Sequence, residues 1–123
     1  DPSDRESVGR FFHQAMRRWA VGTYDDDYPE PYAVFQGRVI EGFKRLVEGM
    51  AKGQRALVFT SGGSISAVCR HALGLEPAAA LRINGVLMNT SFTRVFVGPH
   101  GTALASMNVY SHLHHDPDMV TMT

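Results

Sequence analysis

The stretch LVFTSGGSISAVC, residues 57–69, decides the fold of this sequence. The run 56–60 is continuously apolar up to its final threonine, a pattern typical of a central parallel strand that is covered on both faces. Gly62 and Gly63 then form a turn, and apolar residues recur at helical spacing after it. The stretch therefore predicts a strand, a tight turn and a helix. Such a junction presents free backbone N–H groups and the positive end of the helix to an anion.

Three further helices are predicted around this unit. An apolar stripe that includes Phe11 and Trp19 predicts a first helix, which enters at residues 1–4 and ends at Gly22. A second helix is predicted over 32–50, and a short one begins at Pro77. Apolar residues predict the inner faces of two helices. They are Phe35, Val39, Phe43, Leu46, Val47 and Met50 in the helix over 32–50, and Ile65, Val68, Cys69, Ala72 and Leu73 in the helix after the glycine turn.

The strands predict an incomplete sheet. Segments 91–97 and 103–108 read as a hairpin, and the tail from residue 110 reads as irregular. The order of elements predicts one α/β domain over 1–123, with helices over a mainly parallel sheet. A strand as apolar as 56–60 needs neighbours on both edges. We therefore expect a partner strand beside 56–60, either from a homo-oligomer or other chain, or from residues missing here. The start at Asp1, without methionine, favours a piece of a longer protein.

The composition excludes several classes of function. Twelve basic residues balance twelve acidic ones, so no overall charge favours nucleic acid or a membrane surface. No apolar run approaches the roughly 20 residues that cross a bilayer. The single Cys69 fits a reducing compartment, which predicts a cytoplasmic protein. The nucleotide-binding glycine patterns are absent, and we expect no cofactor and no metal.

The segment Ser61–Ser64 allows two interpretations. As a binding loop, it offers backbone N–H groups, glycines that let a ligand approach, and hydroxyl donors at Ser61, Ser64 and Ser66. Its expected ligand is phosphate or a phosphorylated small molecule. As a purely structural feature, it is a tight turn in which Ser64 caps the following helix.

Four segments together resemble the histidine phosphatase superfamily, which includes the phosphoglycerate mutases. They are VFTSGGSI (58–65), EPYAVFQGRV (30–39), NTSFT (89–93) and NVYSHL (108–113). Each is similar to a family motif, and the four come in the family's order over residues 11–113. The resemblance implies a phosphoglycerate mutase-like fold, incomplete at its N-terminal strand. It also implies that the complete protein is a phosphomonoester hydrolase or mutase. The phosphate pocket that the resemblance implies is lined by Ser61, Gly62, Gly63 and Ser64, with His112 at its rim.

Two departures from the family pattern concern its chemistry. The family's Arg-His-Gly segment, which carries the phosphorylated histidine, has no counterpart in residues 1–55. The family's second histidine is replaced by Ser61, which is neutral and cannot stabilise a transferring phosphoryl group by charge. We therefore expect this chain to be catalytically incompetent. The alternative is a pseudophosphatase, a non-catalytic module that binds phosphate or another protein.

Other polar residues are interpreted as structural. Arg38 is expected on the surface or in an ion pair, and Glu30 is expected not to be the family's proton donor. Cys69 is predicted to be a packed core thiol, and His71 to lie at the boundary of the core. The tail residues that could bind a metal are more simply a solvated segment: His112, His114, His115, Asp116 and Asp118.

Overall fold

A computed structural model describes residues 2–122, with the side chains of residues 4–122. It contains four α-helices and one hairpin: α1 Pro2–Ala20, α2 Tyr32–Glu48, α3 Gly62–Ala72, α4 Ala79–Asn84, β1 Phe92–Gly98 and β2 Gly101–Val109. The mixed helix and sheet content confirms the α/β class at this coarse level. The predicted entry of α1 at residues 1–4 includes Asp1, which lies outside the described residues.

An aromatic cluster joins α1 to α2. The ring of Trp19 lies 4.9 Å from that of Tyr32, edge-on, and 5.4 Å from that of Phe35. The Trp19 indole N–H donates a 2.8 Å hydrogen bond to the carbonyl oxygen of Glu30 in the intervening loop. Tyr28 completes the cluster, with its ring 6.3 Å from Trp19. This end of the predicted stripe on α1 is packed, whereas Phe11 is 73% exposed.

A buried polar chain joins α2 to α3. The Gln36 side chain is 3% exposed, and its amide N–H donates to the Tyr32 hydroxyl at 3.0 Å. Its amide oxygen accepts from Arg70 Nε at 3.1 Å, and Arg70 also donates to the carbonyl oxygen of Leu75. Both polar groups of Gln36 are thus satisfied, which is the condition for burying them at low cost.

The predicted inner faces of α2 and α3 are partly wrong. In α2 the buried residues are Tyr32, Gln36 and Ile40, while Leu46 is 40% exposed. In α3 the buried residues are Ser66, Ala67 and Cys69, while Leu73 is exposed. The buried sets include the polar Gln36 and Ser66 and the small Ala67, so selecting large apolar residues alone misses them.

The hairpin is confirmed and is attached through Asn108. Its strands pair antiparallel, from Phe92 opposite Val109 to Gly98 opposite Gly101, with irregularities on either side of Arg94. Asn108 has φ 57°, a conformation that asparagine tolerates better than most residues. Its side chain accepts from the backbone N–H of residue 88 and donates to the carbonyl oxygen of residue 86, which fixes β2 to the α4–β1 loop.

The tail after β2 is irregular, as predicted, but it is not free. Two short 3₁₀ turns cover Ser111–Leu113 and Pro117–Met119. Leu113 is 5% exposed, and Thr121 is bound by both the backbone and the side-chain amide of Asn89, each at 2.9 Å. The tail is therefore anchored at two points.

The predicted strand over 56–60 does not form a ladder. Within the described residues the sheet has the two antiparallel strands of the hairpin, and no hydrogen bond involves the backbone of residues 55–60. Leu57, Val58 and Phe59 are 69%, 57% and 88% exposed, so the expectation of a strand covered on both faces is wrong for this structure. A strand needs a neighbour for its hydrogen bonds, and no described segment lies in that position.

Candidate functional site

The loop after residue 60 has the geometry of an open helix start. Ser61 is extended, with φ −87° and ψ 162°, and α3 begins at Gly62. The first bond of the helix runs from the N–H of Ile65 to the carbonyl oxygen of Ser61, at 3.1 Å. The N–H groups of residues 62, 63 and 64 therefore have no backbone partner within the described residues. They point out of the helix end and carry its positive partial charge.

The serines of the loop have different positions from those predicted. Ser61, not Ser64, is the N-cap, and its hydroxyl makes no capping hydrogen bond. Ser64 lies in the first turn and is half-buried. Ser66 is 2% exposed, and its hydroxyl donates to the carbonyl oxygen of Gly63 at 2.9 Å. Ser66 is thus committed to the helix, which leaves Ser61 and Ser64 as the hydroxyls beside the free N–H groups.

Asn84 is a residue of this site that the sequence did not suggest. A Cβ built on Gly62 would lie 2.6 Å from Asn84 Oδ1, so the side chain of Asn84 packs directly against the loop. Nothing in the spacing of α4 indicates this contact, because it depends on how α4 folds back on α3. Gly62 is therefore required for close approach between two segments rather than for a special backbone conformation.

A cavity of about 60 Å³ lies behind the loop. Gly63 closes one side, and a Cβ at that position would be 3.5 Å from Phe35 Cζ. The residues around the cavity come from all four helices: Met16, Trp19, Tyr32, Phe35, Gly63, Ser66, Leu81 and Asn84. The loop thus rests on the aromatic cluster, and the packing of α1 and α2 reaches the candidate site directly.

Glu30 and Arg38 form a two-point ion pair near the start of α2. Arg38 donates from Nε and from its second terminal nitrogen to the two carboxylate oxygens of Glu30, at 2.8 and 2.9 Å. This hydrogen bonding holds the pKa of Glu30 below its ordinary value of 4.5. A carboxyl group that stays ionised cannot donate a proton near neutral pH, so this ion pair is compatible with the expectation that Glu30 is not the proton donor.

The same ion pair predicts a pH-dependent contribution to stability. Because the pKa of Glu30 is depressed in the folded protein, the stabilisation is present above the unfolded value of 4.5 and is lost as the pH falls through the folded value. We expect Arg38→Gln to be less stable than the natural chain at about pH 7, and the difference to shrink below 4.5. Urea unfolding across this range measures it. Arg45→Gln, which breaks the longer 3.5 Å pair with Glu41, is the control, and a difference that does not change with pH would contradict the assignment.

The other predicted site residues lie outside the loop. His112 sits on the first 3₁₀ turn after β2, exposed, with its ring edge-on to Phe92 at 5.3 Å. No hydrogen bond joins it to the loop in the part of the chain that the structure describes. Among residues 2–122, no group of three or more His, Cys, Asp or Glu side chains is arranged to hold a metal ion. The role of His112 at the rim of the phosphate pocket stays a prediction.

Cys69 and His71 take the positions expected of structural residues. Cys69 is fully buried, and burial raises the pKa of its thiol, which disfavours the nucleophilic thiolate. His71 lies at the edge of the core near the end of α3. Partial burial, followed by the charges of Lys44 and Arg70, lowers the pKa of its imidazole.

The elements and the loop together define an α/β domain in which an open helix start follows residues 55–60. The family model for the histidine phosphatase superfamily (branch 1) matches residues 3–110. The chain therefore belongs to the histidine phosphatase superfamily, and the resemblance seen in its motifs is confirmed. Searches of curated proteins and of solved structures return no match. Within residues 2–122, no helix has both the length and the apolar character to cross a membrane.

Proposed function

We propose that the Ser61–Ser64 loop binds the phosphate group of a small phosphorylated molecule. The observation that carries this proposal is the set of N–H groups at residues 62–64, which have no backbone partner among residues 2–122 and stand at the start of an 11-residue helix. The Ser61 hydroxyl, which makes no capping hydrogen bond, adds a donor beside them. Backbone N–H groups at a helix start bind anions because the donors converge and the helix dipole favours negative charge. Membership of the histidine phosphatase superfamily supports phosphate as the ligand.

We infer that this chain binds phosphate without transferring it. The complete form would be a phosphomonoester hydrolase or mutase, in keeping with the family. Ser61 can donate a hydrogen bond, but it supplies no positive charge to a phosphoryl group in transfer. Within the described residues no ion pair or hydrogen bond brings a cationic side chain to the loop. The chain is therefore better suited to a pseudophosphatase role than to catalysis. We further propose that it uses no cofactor and works in the cytoplasm.

The proposal includes a mainly parallel sheet in the complete protein. Residues 56–60 lead into the loop, and their exposed side chains, with a backbone that has no partner in the described part of the chain, fit a strand whose neighbour lies elsewhere in the complete protein. A strand placed beside them would end next to Ser61. The site would then be lined by two strand ends, an arrangement common at ligand sites of α/β proteins.

The test is a titration with inorganic phosphate followed by amide chemical shifts. We expect the shifts to concentrate at Gly62, Gly63 and Ser64, with chloride at equal ionic strength as the control. Hydrolysis of p-nitrophenyl phosphate should not exceed the buffer rate. Ser61→His should bind phosphate about fivefold to tenfold more tightly below pH ~6.5, because a charged donor strengthens the hydrogen bond, and should still not hydrolyse the ester. Shifts spread evenly over the surface, or hydrolysis by the natural chain, would contradict the proposal.

A further inference from the structure

The end of β2 is bound to the α4–β1 loop at a bulge. Opposite residues 92–94 of β1, the strand β2 uses residues 106–109, which is one residue more. Asn108 lies in this interval and has a φ of 57°. A bulge of this kind turns a side chain out of the regular alternation of its strand. The side chain of Asn108 is bonded to the backbone of the loop at residues 86–88.

The Asn108 amide holds one residue of that loop, Leu87, from both sides. Its Oδ1 accepts from the N–H of Met88 at 2.8 Å, and its Nδ2 donates to the carbonyl oxygen of Val86 at 2.6 Å. The N–H of Leu87 itself donates to the carbonyl oxygen of Asn84, the last residue of α4, at 3.4 Å. The backbone before, at and after Leu87 is therefore bonded, which fixes the place of its side chain.

Leu87 connects this clamp to the Ser61–Ser64 loop. Its side chain is 6% exposed, and a Cβ built on Gly62 would lie in van der Waals contact with Leu87 Cδ1, at 3.7 Å. Leu87 is thus an apolar wall beside the first residue of α3. That residue also begins the set of N–H groups, at 62–64, that have no backbone partner among residues 2–122. Because closely packed interiors transmit displacements, a shift of Leu87 reaches these N–H groups.

We infer that Asn108 is a positioning residue for the Ser61–Ser64 loop, and that it acts through Leu87 to hold the N–H groups of residues 62–64 in the arrangement that binds phosphate. This role rests on the proposed phosphate binding. Glycine adopts a φ of 57° more easily than asparagine does, so the backbone conformation alone does not require asparagine here. The clamp does require it, because one amide group supplies both the acceptor and the donor that flank Leu87.

Asn108→Gly tests this role, because glycine keeps the backbone conformation and removes both side-chain hydrogen bonds. In the absence of phosphate, we expect the amide chemical shifts of residues 62–64 to change. In a titration with inorganic phosphate, the folded variant should bind about threefold to tenfold more weakly than the natural chain. A merely structural role would lower the stability of the variant and leave the phosphate affinity of its folded form unchanged. The affinity is therefore read from the amide signals of the folded form.

Leu87→Val tests the path from Asn108 to the loop. It keeps an apolar side chain but withdraws Cδ1 from Gly62, so it should also weaken phosphate binding. In the double variant with Asn108→Gly the two losses should not multiply, because Asn108 acts through Leu87. Asn89→Ala is the matched control. It removes a different side-chain hydrogen bond of the same loop, to Thr121 Oγ1, and should bind phosphate like the natural chain.

Asn108→Asp keeps the role testable if the glycine variant does not fold. Its carboxylate, ionised near pH 7, still accepts from the N–H of Met88 but cannot donate to the carbonyl oxygen of Val86. With one side of the clamp lost, this variant should also bind phosphate more weakly than the natural chain.

The outcomes separate the role of Asn108 from the proposed function. A folded Asn108→Gly or Asn108→Asp chain that binds phosphate as tightly as the natural chain overturns the role and leaves the proposed function standing. Losses that multiply in the double variant overturn the action through Leu87, and an equal loss in Asn89→Ala overturns the assignment to Asn108. A natural chain whose amides at 62–64 do not respond to phosphate overturns the proposed function and the role together.

Discussion

Replacing Trp19 with alanine is expected to cost about 3 kcal/mol of unfolding free energy, at the lower end of the range for large aromatic truncations because the side chain is only half-buried. The loss combines the ring contacts to Tyr32 and Phe35 with the 2.8 Å hydrogen bond to the carbonyl oxygen of Glu30. Since small domains have only about 5–15 kcal/mol in total, this change should shift the urea midpoint strongly. The urea midpoint of the natural chain and of the variant is followed by circular dichroism. Fluorescence does not serve, because Trp19 is the single tryptophan and the variant lacks it.

Trp19→Phe separates the two contributions. It keeps most of the aromatic packing and removes the indole donor, so we expect about 1 kcal/mol of loss from the hydrogen bond. Tyr24→Phe is a control for a general effect of removing aromatic polar groups, because its ring is 46% exposed and lies against Arg18 rather than in the cluster. An unchanged midpoint in Trp19→Ala would show that the cluster does not hold α1 to α2.

The parts of the fold predicted from the sequence are those with strong local signals. The apolar spacing of the helices, the glycine after α1 and the hairpin turn at residues 98–101 each depend on neighbouring residues. The loop also belongs to this group, since Gly62 and Gly63 follow an apolar run directly. The motif matches added the family, which the match over residues 3–110 confirms.

The parts that failed depend on partners distant in the sequence. Gln36 can be buried between α2 and α3 because Arg70, 34 residues away, satisfies its amide oxygen, and no local pattern marks a polar residue as buried. Asn84 reaches the loop only because α4 folds back over α3. The segment 56–60 has the composition of a buried strand, but burial needs neighbours that the described residues do not include.

Gly62→Ala is the second change from which we expect a large effect. The added methyl group would lie 2.6 Å from Asn84 Oδ1, so either the side chain of Asn84 or the loop must move. Helix propensity alone favours alanine over glycine here by up to about 1 kcal/mol. The sign of the change in unfolding free energy therefore shows whether helix propensity or the contact with Asn84 is the larger effect. We expect a net loss of about 1–2 kcal/mol, because an added methyl group in a packed contact costs more than propensity returns. We also expect weaker phosphate binding, since a displaced loop misaligns the N–H groups of residues 62–64.

A double-mutant cycle with Asn84→Ala isolates this contact. Removing the amide makes room for the methyl group, so the double variant should regain the stability lost in Gly62→Ala and should also regain phosphate binding. Gly42→Ala, at an α2 position where an added Cβ meets nothing within 4 Å, is the matched control and should be stabilising through propensity alone. If Gly62→Ala were as favourable as Gly42→Ala, the contact with Asn84 would not constrain the loop. If the double variant regained stability without phosphate binding, the methyl group would block the anion directly, and Gly62 would be part of the binding surface itself.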